Sequence, residues 1–334
     1  MSDGRWINLT DPGQEELQAV VPSRLHPLAL DALYRPEWYN DEVFPNLENH
    51  ESPETSKYLY GELAYPVFNA KTQDIGTVSI RVVINFNRMI TVLRFPENSE
   101  TDLPASFAMP DLSELSESAS ALDSGSAMWL LLDRVSDEIH TFGLEAEARA
   151  EDLESLLHSG GVPPKDCRLQ LAHLRNQFLQ LVTIIRPTLS VTAGIISDEL
   201  DLEEGDQELF TRDTEIRLIS VRNRLQHSLN QANQWIENLR TMHDILNDYL
   251  NREQANASNR LTAMASIMLL PTFLVGLYGM NIDSEYFPEF GWLNGYLLAW
   301  ILIVVITVIQ VAVFRRKGWL SQRRPTGASR EVAG

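Results

Sequence analysis

The chain of 334 residues has one cysteine, Cys167, so an intrachain disulfide is impossible and a disulfide-stapled scaffold is excluded. That usage fits a reducing compartment. The seven histidines form no tight cluster along the sequence, and no Cys/His spacing suits zinc. Basic residues are in deficit, 27 against 46 acidic, for a formal net charge of −19. Such a field repels phosphates and argues against a nucleic-acid partner, while it favours cations. A phosphate-binding glycine loop, a nucleophile motif and a zinc-hydrolase motif are all missing, so an enzyme is not expected. The N-terminus carries no apolar signal segment, since the stretch from Trp6 to Thr10 is too short and too polar. The soluble part is therefore expected in the cytoplasm.

Long apolar runs, by contrast, are present. Leu261 to Met280 and Phe290 to Phe314 contain no charged side chain, and the acidic connection from Ile282 to Glu289 separates them. About twenty apolar residues cross the hydrocarbon core as a helix. The tail from Arg315 onward carries a net +5 and the connection −3, which leaves −21 on residues 1–281. A basic cluster directly after the second run places that end inside. Two spans then put both termini in the cytoplasm and the acidic connection outside, in a multi-pass protein of the cell inner membrane.

Ahead of the spans, Met1 to about Asn46 is punctuated by prolines and reads as short helices and loops. Tyr58 to Phe68 and Gly76 to Phe95 are rich in β-branched and aromatic residues and predict a small, mostly antiparallel sheet. Asn85-Phe86-Asn87-Arg88 supplies a turn within it. Pro96 to Ser126 reads as an exposed loop followed by a helix start. Apolar residues at helical spacing (Leu131, Val135, Ile139, Phe142) predict a helix from Ala127 to about His158 whose other face, Asp133 to Glu154, is acidic. A second helix, Lys165 to Ile185, pairs back on the first, and Pro187 begins another segment. An acidic turn follows at Asp198 to Asp206.

From about Leu209 there is no proline before Pro271 and no glycine before Gly276. Ile216, Ile219, Leu225, Leu229, Ala232, Ile236, Leu239, Ile245 and Leu250 mark an apolar stripe. One helix rising from the soluble part into the membrane is predicted, on the order of 100 Å long. Such a helix needs partners to cover its stripe, and copies around a symmetry axis supply them. Two spans cannot enclose a pore, so transport also requires an oligomer. The first run is the pore lining, because it contains Thr262, Ser266 and Thr272 with small residues at Ala263, Ala265 and Gly276. The second, richer in bulky aliphatics, suits an outer ring facing lipid. Asn281 stands at the outer end of the first span, where a ring of carboxamide oxygens could accept bonds from the water shell of a cation. The residues alone equally allow Gly279 as a helix stop and Asn281 as a C-terminal cap. Leu261 and Leu269 are candidate apolar constrictions, Thr272 and Leu277 further lining, and Asp244 and Asp248 candidate carboxylate rings lower down. Ordinary helix packing explains the leucines as well. Asp283, Glu285 and Glu289 would concentrate cations at the mouth through space.

Tyr278-Gly279-Met280-Asn281, then Glu285-Tyr286-Phe287-Pro288-Glu289 and Gly295-Tyr296, resembles the signature of the CorA family of divalent-metal channels. Family members carry Tyr-Gly-Met-Asn at the end of the first membrane helix, a short loop with a Pro-Glu pair, and one more helix. The loop here is longer by Ile282-Asp283, and Phe287 stands where methionine is usual. The resemblance implies an α+β cytoplasmic domain whose long stalk helix continues into the first of two transmembrane helices, in a homopentameric funnel. It implies a Gly279-Met280-Asn281 selectivity filter with Asn281 meeting the metal, and Mg²⁺ as the transported ion, with Co²⁺ or Ni²⁺ also passing. No cofactor is implied beyond that ion, and the partners are copies of itself, the bilayer and divalent cations. CorA relatives sense internal Mg²⁺ at carboxylates between subunits, which makes the acidic helix face a further cation site without assigning a pair. A Zn²⁺ transporter of the ZntB type is the alternative, although ZntB relatives carry Gly-Ile-Asn and lack the acidic Pro-Glu pair. A membrane-anchored interaction protein is the alternative of another class. The chain thus divides into an α/β part (1–126), an acidic helical hairpin (127–206), a stalk helix (207–260), a first span (261–281), an acidic loop (282–292), a second span (293–314) and a basic tail (315–334).

Overall fold

The computed structural model describes residues 6–10, 12–20, 33, 46–52, 55–68, 75–93, 112–119, 122–159, 162–204, 207–279 and 295–320. Two compact units emerge, Met1–Glu154 with Asp166–Thr241, and Ser155–Lys165 with Met242–Gly334.

The first unit holds a five-stranded sheet of β1 (Trp6–Thr10), β2 (Asn46–Ser52), β3 (Thr55–Phe68), β4 (Ile75–Ile84) and β5 (Met89–Leu93), in the order β1-β5-β4-β3-β2. Every pairing is antiparallel except that of β1 with β5. Consecutive buried residues at the end of β4 and throughout β5 mean that both faces of the sheet are covered there, which is why strict alternation fails. Leu9, Tyr58, Val83, Ile90 and Val92 bury together with Leu33 and with Leu17 of helix α1 (Gln14–Val20). The β4–β5 turn is held by Asn85, whose Oδ1 accepts from the backbone N–H groups of Asn87 (2.9 Å) and Arg88 (3.0 Å).

β1 departs from the expected loops and short helices. Its five residues pair with a strand more than eighty positions away, Trp6 opposite Met89. A buried side-chain relay fixes the register: Trp6 Nε1 donates to Thr91 Oγ1 (2.9 Å), which donates to Asn8 Oδ1 (2.9 Å). β2 was also unforeseen, because its sequence Asn-Leu-Glu-Asn-His-Glu-Ser is polar and it lies at the sheet edge.

Helices α2 (Ser113–Ser118), α3 (Ser124–His158), α4 (Cys167–Ile196), α5 (Arg212–Tyr278) and α6 (Gly295–Arg316) follow. Asp123 caps α3 by accepting from the Ser126 N–H (2.7 Å). A Cβ on Gly125 would sit 2.2 Å from the Leu209 carbonyl oxygen, so only glycine allows that approach. α4 packs against β2, β3 and β4. It does not end before Pro187, as expected, but runs through it to Ile196. The carbonyl freed by the proline belongs to Thr183, which is exposed, so water can serve it, while Thr188 Oγ1 bonds the next carbonyl, of Ile184 (2.8 Å). The acidic turn forms a small hairpin of β6 (Glu203–Glu204) and β7 (Gln207–Glu208), anchored by Asp201 Oδ1, which accepts from the N–H groups of Leu202 (2.8 Å) and Phe210 (3.1 Å).

Within the first unit, the buried seam of α5 is Leu218, Val221, Leu225, Ser228, Ala232, Trp235 and Leu239. Steps of three and four alternate, the seven-residue repeat of packed helices. The expected stripe was set partly to one side. Leu225, Ala232 and Leu239 lie in the seam, Ile219, Leu229 and Ile236 flank it half-buried, and Ile216 is exposed. A 3.6-residue helix drifts against a 3.5-residue repeat, so a stripe read by apolar identity alone wanders. In the second unit Met242, Leu246 and Ala263 are the buried positions of α5.

The Trp6–Thr91–Asn8 relay yields a test. Thr91→Val keeps the shape but strands a buried indole N–H and a carboxamide oxygen, so thermal unfolding of the full chain in detergent should show a loss of about 1–3 kcal/mol, against a small change for a surface Thr→Val.

Candidate functional site

Among the described residues, three helices are long and apolar enough to cross a membrane. In Cys167–Ile196, half of the apolar window is buried inside the protein, and Phe178, Leu181 and Ile185 belong to the core. The apolar stretches of Arg212–Leu277 and Leu297–Arg316 are almost wholly exposed, 6% and 0% buried. Surfaces so apolar and so exposed demand lipid or partner helices. α6 is stopped by Gly318, two residues past its end and the only described glycine at positive φ (76°). The Trp319 N–H reaches the Phe314 carbonyl (3.0 Å) and the Gly318 N–H that of Arg315 (3.1 Å), a Schellman cap. Lys317 Nζ lies 5.5 Å from the centre of the Trp319 ring, so a cation and an aromatic meet where a membrane interface would fall.

The apolar half of α5 has two distinct sides. Ala263 is fully buried, and Ile267, Pro271, Leu274 and Leu277 are partly buried. Gln310 Nε2 of α6 donates to the Ser266 carbonyl (3.3 Å), which identifies this side as the one facing α6. Leu261 (68% exposed), Leu269 (72%), Thr272 and Gly276 occupy the opposite side, as 3.6-residue spacing requires. Candidate lining residues Leu261, Leu269 and Thr272 therefore share one exposed face, and Leu277 does not join them. Thr272 Oγ1 spends its proton on the Met268 carbonyl (2.7 Å) and leaves only acceptor capacity outward. Gly279 continues this face. Its N–H bonds back to the carbonyls of Val275 (2.9 Å) and Gly276 (3.2 Å), and it is not in the left-handed conformation of a glycine stop. An added Cβ would lie 3.2 Å from the Val275 oxygen. Met280, Asn281, Asp283, Glu285 and Glu289 lie outside the described residues. Asp244 and Asp248 are exposed, one turn apart, away from the buried Met242 and Leu246.

The acidic face of α3 is partly spoken for within the first unit. Arg224 of α5 bonds both Asp133 and Asp137. Arg134 pairs with Glu138 (2.7 Å), and the Trp235 indole N–H donates to Glu147 (3.0 Å). No group of three or more His, Cys, Asp or Glu suited to a metal ion occurs among the described residues. Burial pushes the Tyr65 hydroxyl up to about 12, with the Glu138 charge adding to it and Arg134 opposing it. Burial also raises the Asp201 carboxyl above the usual range, against the two backbone N–H bonds it accepts.

Two contacts escaped the sequence reading. The bond from Trp235 to Glu147 needs the packing of α3 on α5 and leaves no signal in sequence. Gln310 did leave one, as the lone carboxamide after Asn294 in a run of aliphatic residues, where a polar side chain needs a hydrogen-bond partner.

Together the structure defines a class: an α+β protein with a very long helix that ends in one of two apolar, membrane-competent helices. The sequence model of the family described as CorA-like Mg²⁺ transporter protein matches residues 2–316, and the chain belongs to that family. The cobalt/magnesium transport protein CorA of Thermotoga maritima is 27% identical over 199 residues, 58% of this chain and 48% of the relative, so the match spans about half the relative's length. Among solved structures, the complete CorA magnesium transporter of Methanocaldococcus jannaschii superposes with a TM-score of 0.68 at 19% identity, covering 96% of this chain and 93% of that one. Full-length CmaX gives 0.66 at 20% identity, covering 93% and 87%. At these identities the structures show a shared fold.

The Tyr65 shift gives a pH prediction. A hydroxyl whose folded value lies above its unfolded one favours the fold below pH 10, and that contribution is lost as pH rises through about 12. The difference spectrum between wild type and Tyr65→Phe should show no phenolate absorbance until pH nears 12. Its appearance near 10 would place the hydroxyl in water.

Proposed function

We propose that the protein conducts hydrated divalent cations through a homopentameric pore lined by the exposed face of α5, with Gly279-Met280-Asn281 as the selectivity filter. The observation that carries the reading is that face itself. Leu261, Leu269 and Thr272 lie opposite α6, half of a wall that only further copies can complete. The half-buried flanks of the stalk seam, Ile219, Leu229 and Ile236, support assembly lower down. Mg²⁺ is the favoured substrate, with Co²⁺, in keeping with the family description and with the name of the Thermotoga relative, and Ni²⁺ would pass as a similar divalent ion. Mg²⁺ sheds water reluctantly, so a mouth of carboxamide oxygens binds the shell and not the bare ion. Leu261 and Leu269 form apolar constrictions, Thr272 offers an acceptor between them and the filter, and Asp244 and Asp248 form carboxylate rings at the cytoplasmic side. Leu277, on the side facing α6, supports this wall from behind. The division at residues 126, 206, 260, 281, 292 and 314 then separates soluble, stalk, membrane, loop and tail parts, with both termini in the cytoplasm at the inner membrane.

Asn281→Leu tests the filter. Mg²⁺ uptake into proteoliposomes at matched oligomer content should fall steeply, while a residue that merely caps the helix would cost about 1 kcal/mol of stability or less and leave flux intact. Mass measurement in mild detergent is the companion experiment, and a monomer at micromolar concentration would sink the pore.

Asp283, Glu285 and Glu289 act on incoming cations through their field. Neutralising all three should lower uptake more at low than at high ionic strength, where the Debye length is short. Equal losses in both buffers would mean direct ligation.

A further inference from the structure

Three consecutive carbonyls of α5, those of Ser266, Ile267 and Met268, stand at the turn that Pro271 weakens. Proline brings no N–H, so the Ile267 carbonyl, four residues back, has no helical donor. Its neighbours both take side-chain donors. Thr272 Oγ1 serves the Met268 oxygen at 2.7 Å, and Gln310 Nε2 of α6 serves the Ser266 oxygen at 3.3 Å. A carboxamide nitrogen has two hydrogens, so one bond to Ser266 leaves a second to offer the turn. The other end of the carboxamide is unsatisfied: Gln310 Oε1 is buried and has no partner among the described residues. A leucine would fill this place between two apolar helices without stranding an acceptor, and stranded polar groups are costly in hydrocarbon. A carboxamide kept there, half-satisfied and set against the one turn with a broken ladder, acts on that turn.

We infer that Gln310 is a positioning residue, a latch that ties the outer helix to the proline turn of the inner one and so sets how far that turn opens. Leu269 and Thr272 stand on the far side of the same turn. A change in the bend there moves both of them. The inference rests on the reading that this face lines the ion path. It assigns α6 a part in permeation, although α6 contributes nothing to the wall.

The test uses the full chain in proteoliposomes, with Mg²⁺ uptake measured against external Mg²⁺ at matched assembly. Gln310→Met keeps length and shape and removes the amide. Maximal flux per assembled pore should change by a factor of about two to ten, what one hydrogen bond is worth to a two-state equilibrium, with half-saturating Mg²⁺ unchanged. In a Pro271→Ala background, which returns a donor to Ile267, the same substitution should have a clearly smaller effect. Unchanged maximal flux, or equal effects in the two backgrounds, would overturn the latch. Should Gln310→Met fail to assemble, Gln310→Asn, one methylene too short to reach Ser266, carries the same expectation. A wild type that passes no Mg²⁺ overturns the permeation reading and the latch's part in it. The same cycle read on thermal midpoints in lipid then decides the contact itself, with additive shifts ruling it out.

Discussion

A helix of 67 residues cannot be stabilised by its own hydrogen bonds in water, because the backbone ladder there is close to neutral in free energy and only the covering of an apolar face tips the balance. α5 meets that requirement differently along its length. Near its start a seam of Leu218, Val221, Leu225, Ser228, Ala232, Trp235 and Leu239 is buried in the first unit. Further on, in the second unit, burial thins to Met242, Leu246 and Ala263. The remaining apolar surface there has no cover among the described residues, and lipid or partner helices are the physical means of covering it.

Charge follows a second constraint. The excess of carboxylates would repel itself if it were free, yet the described residues show much of the α3 face engaged, by Arg224, Arg134 and the Trp235 indole. A carboxylate that already holds a cationic or N–H partner offers less to a metal ion. Glu151 and Asp152, exposed at the far end of the same helix, keep more of that capacity. The acidic balance of the sequence therefore overstates the number of carboxylates ready for cations, though its long-range field remains.

In the apolar pair of helices the few polar atoms carry most of the specificity. Thr272 folds its proton back onto its own helix, Pro271 leaves a carbonyl without a donor, and Gln310 crosses from the neighbouring helix to the same turn. Aliphatic packing alone would hold the two helices in many nearly equal registers. A side-chain bond to a backbone carbonyl selects one.

Much of this protein was fixed by composition and order alone. Two uncharged runs, an acidic soluble part, an unbroken stretch from Leu209 to Leu270 and the Tyr278–Asn281 signature sufficed for an α+β protein with a stalk and two spans, because hydrophobic length and helix breakers act locally. The β4–β5 hairpin was legible for the same reason, since Asn85 makes its bonds within three residues. Tertiary structure decided what depends on partners distant in sequence. Trp6–Thr10 is a strand only because β5 and Thr91 are there to receive it, and α4 passes through Pro187 because core packing holds the helix while Thr183, whose carbonyl the proline frees, is exposed. The side of α5 that bears Leu261, Leu269 and Thr272, and excludes Leu277, was set by α6 packing on the other side. A sequence of alternating apolar residues cannot state which of two equally apolar faces will meet a neighbour.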